Sequence, residues 1–495
     1  MKDPLYIQEL SPLFEAVQQA IIFEDQKTMA DAVPKFSTID IMYKFNTLER
    51  YTKEELKTFV LTNFDIKPAI EPTDFVSEFQ LPIEEHIEKL WDELTRTSAH
   101  YKGTLLTLPY PYIVPGGRFD EFFYWDSYYI MLGLQTSGRI EMMRHIVDNC
   151  SYLILRYGFV PNGNRTYFLS RSQPPYFSLM LDLLYESTKD EKIYTQYYKT
   201  LEREYQFWMD GMENLGINSS YKRVIKTVKG DILNRYYDDE NIPRPESYMI
   251  DLADYGKAEN QDFYRNVRAA CESGWDFSSR WFRNQESISS IHTLDLAQID
   301  LNCLLWHLEH SLEKVTQRLN LAEQNKIYLD RAKCRKEAIQ KYFWHEEMGL
   351  YTDYLFKEDR RSTSQNAASL YPLFLGIAPK EKAQRVAENI AQKFLKNGGI
   401  ITTTIESGQQ WDSPNAWAPY QWLGYVAMQN YDMLELAEKI KNNWCTNVER
   451  IYRNSSKLME KYNAIDTQSI AGGGEYPNQD GFGWTNGVYI KLKQL

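Results

Sequence analysis

Pro115-Gly116-Gly117-Arg118-Phe119-Asp120-Glu121-Phe122-Phe123-Tyr124-Trp125-Asp126-Ser127-Tyr128-Tyr129 is the stretch around which the rest of the chain is read. Its two glycines let the backbone bend sharply. An arginine follows at once, then three carboxylates and a run of aromatic rings. Rings offer flat apolar faces, and Arg118 and Asp126 offer charged hydrogen bonds that fix orientation. The mixture suits a small polyhydroxylated ligand, whose C–H faces stack on rings while its hydroxyls bond to charged groups. The same composition also fits the start of an amphipathic helix after a Pro-Gly turn. A second stretch of this character, Gln409-Gln410-Trp411-Asp412-Ser413-Pro414-Asn415-Ala416-Trp417-Ala418-Pro419, favours the ligand.

A helical pattern begins near residue 122 and is one of about a dozen. The others are read near 139–157, 175–187, 190–213, 259–271, 292–319, 323–343, 363–375, 379–395, 417–429, 432–453 and 481–492. Upstream, Ile83, Ile87, Leu90, Trp91 and Leu94 share one face of a helix expected over 83–98. Residues 1–80 read as irregular with short helical pieces, punctuated by Pro34, Pro68 and Pro72. Strand signals are few, at Leu350–Leu355 and Tyr221–Val228. No Gly/Ser linker, low-complexity run or short repeat divides the chain. The fold class expected is therefore all-α, one closed helical toroid over 1–495 with short β pieces in its loops. Residues 1–80 form an N-terminal extension packed on it.

Composition narrows the function. The chain has 495 residues and a net charge of -12, which argues against nucleic acid or an anionic membrane as partner. Tyrosine is heavily used, with 36 residues beside 23 Phe and 12 Trp, which favours a ring-lined pocket. The five cysteines are scattered and show no CxxC pair, so buried free thiols are expected. The first residues lack an apolar segment ahead of a cleavage site, and no apolar run is long enough to span a bilayer. A cytoplasmic location and a monomer are the simple expectations; a periplasmic form with its leader removed would read the same.

The loops between the helical patterns pair charged or amide groups with rings and glycines. They include Asn162 to Gln173, Asn234 to Tyr248, Glu272 to Trp281, Gln409 to Pro419, Glu460 to Asn463 and Gly472 to Tyr476. No metal site is expected: His307 and His310 lie three apart, but no carboxylate ligand set accompanies them. No serine nucleophile elbow or phosphate-cradling glycine loop is present. Acid/base carboxyls remain. Cleaving a glycosidic bond needs a protonated carboxyl for the leaving oxygen and a second carboxylate as nucleophile or base. The acid must keep its proton near neutral pH and so belongs against apolar surface. Asp276, between Trp275 and Phe277 and after the flexible Gly274, suits that role; it also reads as a helix N-cap. Glu460 and Glu475 both qualify as the second carboxyl, and local physics does not choose between them. Arg118, Arg171 and Arg244 lie in ligand-like loops, where their planar forks suit paired sugar hydroxyls. Each could instead pair with a neighbour such as Asp120, Asp126 or Glu246.

Pro115-Gly-Gly-Arg-Phe-x-Glu-x-x-Tyr-Trp-Asp-x-Tyr and Gln410-Trp-Asp-x-Pro-x-Ala-Trp-x-Pro resemble the two signatures of the trehalases of glycoside hydrolase family 37. Gly472-Gly-Gly-Glu-Tyr resembles the family's third marker. The likeness runs from Leu10-Ser-Pro-Leu-Phe, through Asp25-x-Lys-Thr, to Asn486-Gly-Val. It implies an (α/α)6 barrel and hydrolysis of α,α-trehalose by water with inversion, without metal or organic cofactor. It also implies Asp276 as general acid, Glu460 as general base and Glu475 as a sugar-subsite residue. Arg118, Arg171 and Arg244 match three essential arginines. Phe119, Trp125, Asp126, Asn162, Gln173, Glu246 and Trp411 match positions lining the glucose pockets. Departures from the pattern are Ala471 before a short glycine run, Asn463 in place of Asp, and Ala416 in place of Gly. Two other readings stay open: another (α/α)6 glucosidase, and a catalytically silent sugar-binding protein.

Overall fold

The computed structural model describes residues 4–66, 81–98, 100–258, 260–469 and 471–495. Helix makes up 53% of it and strand 10%. Twelve helices form the body: α1 Ile83–Glu93, α2 Tyr124–Thr136, α3 Ile140–Tyr157, α4 Phe177–Thr188, α5 Tyr198–Trp208, α6 Ile299–Arg318, α7 Ala322–Tyr342, α8 Tyr371–Phe374, α9 Lys380–Asn389, α10 Ala418–Gln429, α11 Leu434–Ser455 and α12 Gly483–Gln494. A 3-10 turn over Ala367–Leu370 lengthens α8. The even-numbered helices pack in a closed cycle, α2 on α4, α4 on α6, α6 on α8, α8 on α10, α10 on α12, and α12 back on α2. The odd-numbered helices lie outside them. This is an (α/α)6 barrel.

Sequence explains the two layers. Almost every residue of α2 and α10 is buried, because both are apolar on all sides. In the outer α1, Ile83, Ile87, Leu90 and Trp91 are buried while Glu84, Glu85 and Lys89 stay exposed or half-buried. The first and last inner helices cross on two glycines. A Cβ on Gly487 would lie 2.1 Å from the Tyr129 carbonyl oxygen, and one on Gly133 would lie 2.6 Å from the Gly487 Cα. The backbones touch there, so no side chain fits.

Several expectations change. The helix expected over 83–98 stops at Glu93, because Thr95–Arg96 pairs as a strand with Tyr112–Ile113. The pattern at 190–213 breaks at Tyr197 into Lys192–Gln196 and α5. The pattern at 292–319 becomes helical only at Ile299. The helix expected from 259 starts at Phe263, and residue 259 lies outside the described residues, as do Pro68 and Pro72. Phe263–Glu272 is not one of the twelve. It belongs to an excursion between α5 and α6, and α1 takes the place expected for it. The strand signals at 221–228 and 350–355 appear as Val224–Lys226 of a three-stranded sheet and as Leu350–Tyr351 and Tyr354–Leu355.

The N-terminal residues are more ordered than expected. Helices Thr38–Asn46 and Lys53–Asn63 start on Ser37 and Thr52, whose hydroxyls accept the backbone N–H groups of Asp40 and Glu55. Leu10, Leu13, Phe14, Ile41, Leu56 and Val60 form a small core completed by Phe123, Tyr167 and Phe168 of the barrel loops.

Gly487→Ala is expected to destabilise the protein by about 1–3 kcal/mol, since a methyl group there must push two helix backbones apart. Urea unfolding checks it; an unchanged midpoint would contradict the close crossing.

Candidate active site

Five inner helices are entered from one group of loops: 115–123 leads to α2, 162–176 to α4, 272–298 to α6, 409–417 to α10 and 460–482 to α12. The N-termini of those helices therefore face one place. A cavity lies there. All fourteen residues singled out in the sequence line it: Asp276, Glu460, Arg118, Phe119, Trp125, Asp126, Asn162, Arg171, Gln173, Arg244, Glu246, Gly274, Trp411 and Glu475.

The loop after Pro115 is drawn inward by α4's own entry loop. Gln173 Oε1 accepts the backbone N–H groups of Tyr124 and Trp125 at 3.0 and 3.1 Å, capping α2 from across the chain. Asp126 then stands in the first turn, buried. Gly274 has φ +79°, and a Cβ on it would lie 2.7 Å from the Trp125 indole. The glycine thus lets Trp125 press against the backbone two residues before Asp276. Trp411 is sandwiched, stacked on Trp417 at 4.0 Å between centroids and on Trp275 at 5.4 Å.

Asp276 is not a helix N-cap. The short turn after it, Ser279–Trp281, is capped by Ser278. Asp412 holds this loop to its neighbour: Ser278 Oγ donates to its carboxylate at 2.7 Å and the Ser279 N–H at 2.8 Å. Arg280, fully buried, anchors the same loop from below through paired bonds to Asp300 and Asp353 at 2.8–3.0 Å.

The arginines find carboxylates, though not always the expected ones. Arg118 bonds to Asp25 at 2.7 and 3.0 Å rather than to Asp120 or Asp126. Arg171 pairs with Glu246 at 2.7 Å and donates to Asn162 Oδ1 at 2.9 Å. Arg244 forms a fork on Asp251 and reaches Glu475 at 2.7 Å. Ser247 Oγ donates to the second oxygen of Glu475 at 2.9 Å. Glu460 accepts from Lys461 Nζ and from the Tyr476 hydroxyl, each at 2.9 Å.

Asp126 and Asp276 have no ion-pair partner among the described residues. Burial pushes Asp276 up to about 7; Arg244 opposes this and the Glu475 charge adds to it. Burial also pushes Asp126 up to about 8, with the charges of Glu460 and Asp276 adding to it. Glu246 goes the other way: despite burial, Arg171, Arg244 and Arg268 hold it below the usual carboxylate range. Buried, raised carboxyls lining a cavity are what an acid catalyst requires.

Sequence reasoning missed several participants. Lys27 brings the N-terminal segment to the cavity wall, pairing with Glu121 at 3.1 Å, and Asp25 holds Arg118 from behind. Tyr476, Phe482 and Trp484 close it from the C-terminal side. Asp251 and Asp412 work one layer behind. Asp412 and Trp484 lay inside quoted motifs, but Asp251 carried no local signal. His307 and His310 lie elsewhere: His307 pairs with Ser178 Oγ at 2.8 Å and Asp182 at 3.0 Å, and His310 with Glu313.

Comparison with known proteins agrees with this geometry. The sequence profile of the trehalase family matches residues 21–495. Periplasmic trehalases of Escherichia coli O1:K1 / APEC and of Shigella flexneri serotype 5b are each 42% identical over 491 residues, which is 98% of this chain and 86% of theirs. Among solved structures, the neutral trehalase Nth1 of Saccharomyces cerevisiae superposes with a TM-score of 0.65 at 26% identity, over 84% of this chain and 80% of its own. The GH63 mannosylglycerate hydrolase of Thermus thermophilus shares the fold, with a TM-score of 0.55 at 14% identity over 83% of this chain and 100% of its own. A profile match over nearly the whole length, together with relatives at this identity, places the chain in the trehalase family.

Proposed function

We propose that this protein hydrolyses α,α-trehalose to two glucose molecules, using water as nucleophile and inverting one anomeric centre. The observation that carries the reading is one ring-walled cavity lined by a buried carboxyl raised to about 7 and by a separate buried carboxylate, Glu460. Asp276 protonates the bridging oxygen. Glu460 takes a proton from the attacking water, and its bonds from Lys461 and Tyr476 aim it. Glu475 is engaged by Arg244 and Ser247, which suits a residue gripping sugar hydroxyls rather than one accepting a proton. Its charge adds to the raising of Asp276, and that of Glu460 to the raising of Asp126; the choice of Glu460 as base rests on the family resemblance and on the holding of Glu475 by Arg244 and Ser247. Asp126, protonated near neutral pH, donates to a hydroxyl. Arg118, Arg171 and Arg244 hold the two rings; Trp125 lines the site, and Trp411, covered on both faces by Trp275 and Trp417, presents only its edge. Neither metal nor cofactor enters these steps.

The catalytic unit is proposed to be the whole chain acting as a monomer, with 1–80 an extension packed on the barrel. Asp25 and Lys27 support this, since that extension supplies part of the cavity wall. On compartment, the expected cytoplasmic location finds no support in the relatives, whose names are periplasmic. Its remaining support is the cysteines, all five unpaired and four of them buried. No helix among the described residues is long and apolar enough to cross a membrane. Cell fractionation decides between the two compartments.

Asp276→Asn and Glu460→Gln should each lower kcat by at least about 10²–10⁴-fold with folding intact. Asp126→Asn, which keeps a hydrogen-bond donor, should lose far less than Asp276→Asn; the reverse order would exchange their roles. NMR of fresh product should show α- and β-glucose in equal amounts, and α-glucose alone would mean retention. Trehalose should be cleaved in preference to other glucosides, and no turnover at all would leave a sugar-binding protein. Because Asp276 must carry its proton, kcat/KM should fall as pH rises through about 7. A flat profile across neutrality would contradict the assignment.

A further inference from the structure

Lys461 is an unusual residue to find where it is. It is fully buried, in the strand next to Glu460. An ammonium in such a place needs acceptors for its three protons. One goes to Glu460 Oε2 at 2.9 Å and one to Gln410 Oε1 at 3.0 Å. The charge also lies over the rings of Tyr476 and Trp417, at 5.0 and 5.2 Å from their centroids. Gln410 is just as enclosed. An ammonium has no acceptor, so the amide oxygen of Gln410 must face Lys461. Its amide nitrogen then faces the Asp276 carbonyl at 2.5 Å and the Tyr476 hydroxyl at 3.3 Å. A continuous line results: Asp276 backbone, Gln410, Lys461, Glu460.

The surroundings hold this line rigid. Trp417 and Lys461 are partners in an antiparallel ladder, Asn415–Trp417 against Lys461–Asn463. The Gln410 carbonyl accepts from Trp417 Nε1 and Asn415 Nδ2, both at 3.0 Å. Gly474, with φ +84°, lies directly on Gln410: a Cβ there would be 2.8 Å from Oε1. The glycine-rich segment therefore closes over the amide rather than standing clear of it.

We propose that Gln410 and Lys461 form a buried bridge that sets the separation of Asp276 and Glu460 and the direction in which the Glu460 carboxylate points. They are positioning residues; neither faces the sugar. The inference rests on the reading of Asp276 as acid and Glu460 as base. The charged and titratable groups facing Glu460 are Lys461 and Tyr476 in contact, with Asp126 and Asp276 across the cavity.

Lys461→Met removes the charge and keeps the length. It should lower kcat by about 10²-fold with little change in KM, since a displaced base costs rate rather than binding. Lys461→Arg, which keeps a donor to both partners, should restore much of that rate. Gln410→Met should likewise lower kcat with KM little changed. The double variant should be no worse than Lys461→Met alone, because one bridge is broken once. Fully additive losses, or a loss confined to KM, would overturn the bridge. If Lys461→Met does not fold, Gln410→Met with its KM against kcat split carries the test alone, and a change confined to KM overturns it. Glu460→Gln separates the two ideas. If it stays active, the base reading fails; if it is inactive and Lys461→Met keeps the parent kcat, only the bridge fails.

Discussion

Asp126, Glu246, Asp276, Glu460 and Glu475 all face one cavity, and so many negative charges cannot share a dry space uncompensated. Three of them touch a cation: Glu246 meets Arg171, Glu475 meets Arg244 and Glu460 meets Lys461, at 2.7–2.9 Å. Asp126 and Asp276 have no such partner among the described residues, and burial raises both toward or past neutrality. The chemistry of the site follows from that unequal distribution of partners. A carboxyl denied a cation holds its proton and can give it away. One given a cation and a hydroxyl donor is oriented to receive a proton.

The architecture makes the distribution possible. Residues that meet at the cavity come from the N-terminal segment and from five barrel loops, the last of them the stretch before α12. A closed ring of inner helices brings all their N-termini to one end. Loops entering those helices are then neighbours, however far apart in the chain. Residues behind the cavity wall lock the loops to each other. Asp412 joins the Asp276 loop to the Trp411 loop. Glu272 accepts the Ser172 and Tyr237 N–H groups and the Arg223 guanidinium, joining three more segments. These buried acids do not line the cavity, yet each ties a loop that does to its neighbours. Strand pairing contributes little area overall, but the ladder at Asn415–Trp417 sits directly beneath the proposed base.

Much of this was legible beforehand. Glycine, ring and charge in the same loop mark a ligand site whatever the fold, and the site residues named there, most of them through the family resemblance, line the cavity. Long apolar helices without a linker pointed to a toroid. Membership of the ring was less legible, because periodicity reports a buried face without saying what covers it. Phe263–Glu272 and Ile83–Glu93 read alike as helices, and only packing shows that the second belongs to the twelve. The order in residues 4–66 was likewise hidden, since its small core is completed by Phe123, Tyr167 and Phe168 from elsewhere.

The amino-acid sequence by itself determined the helical class, the loops that carry chemistry, and the resemblance that names the acid and the base. It did so because helix periodicity and loop composition are local properties. Tertiary structure alone decided which charge meets which. Arg118 with Asp25, Arg244 with Glu475, and Lys461 with both Gln410 and Glu460 are contacts set by folding. A carboxyl's readiness to hold or take a proton depends on its burial and on the charges within a few ångströms, and those neighbours come from distant parts of the chain.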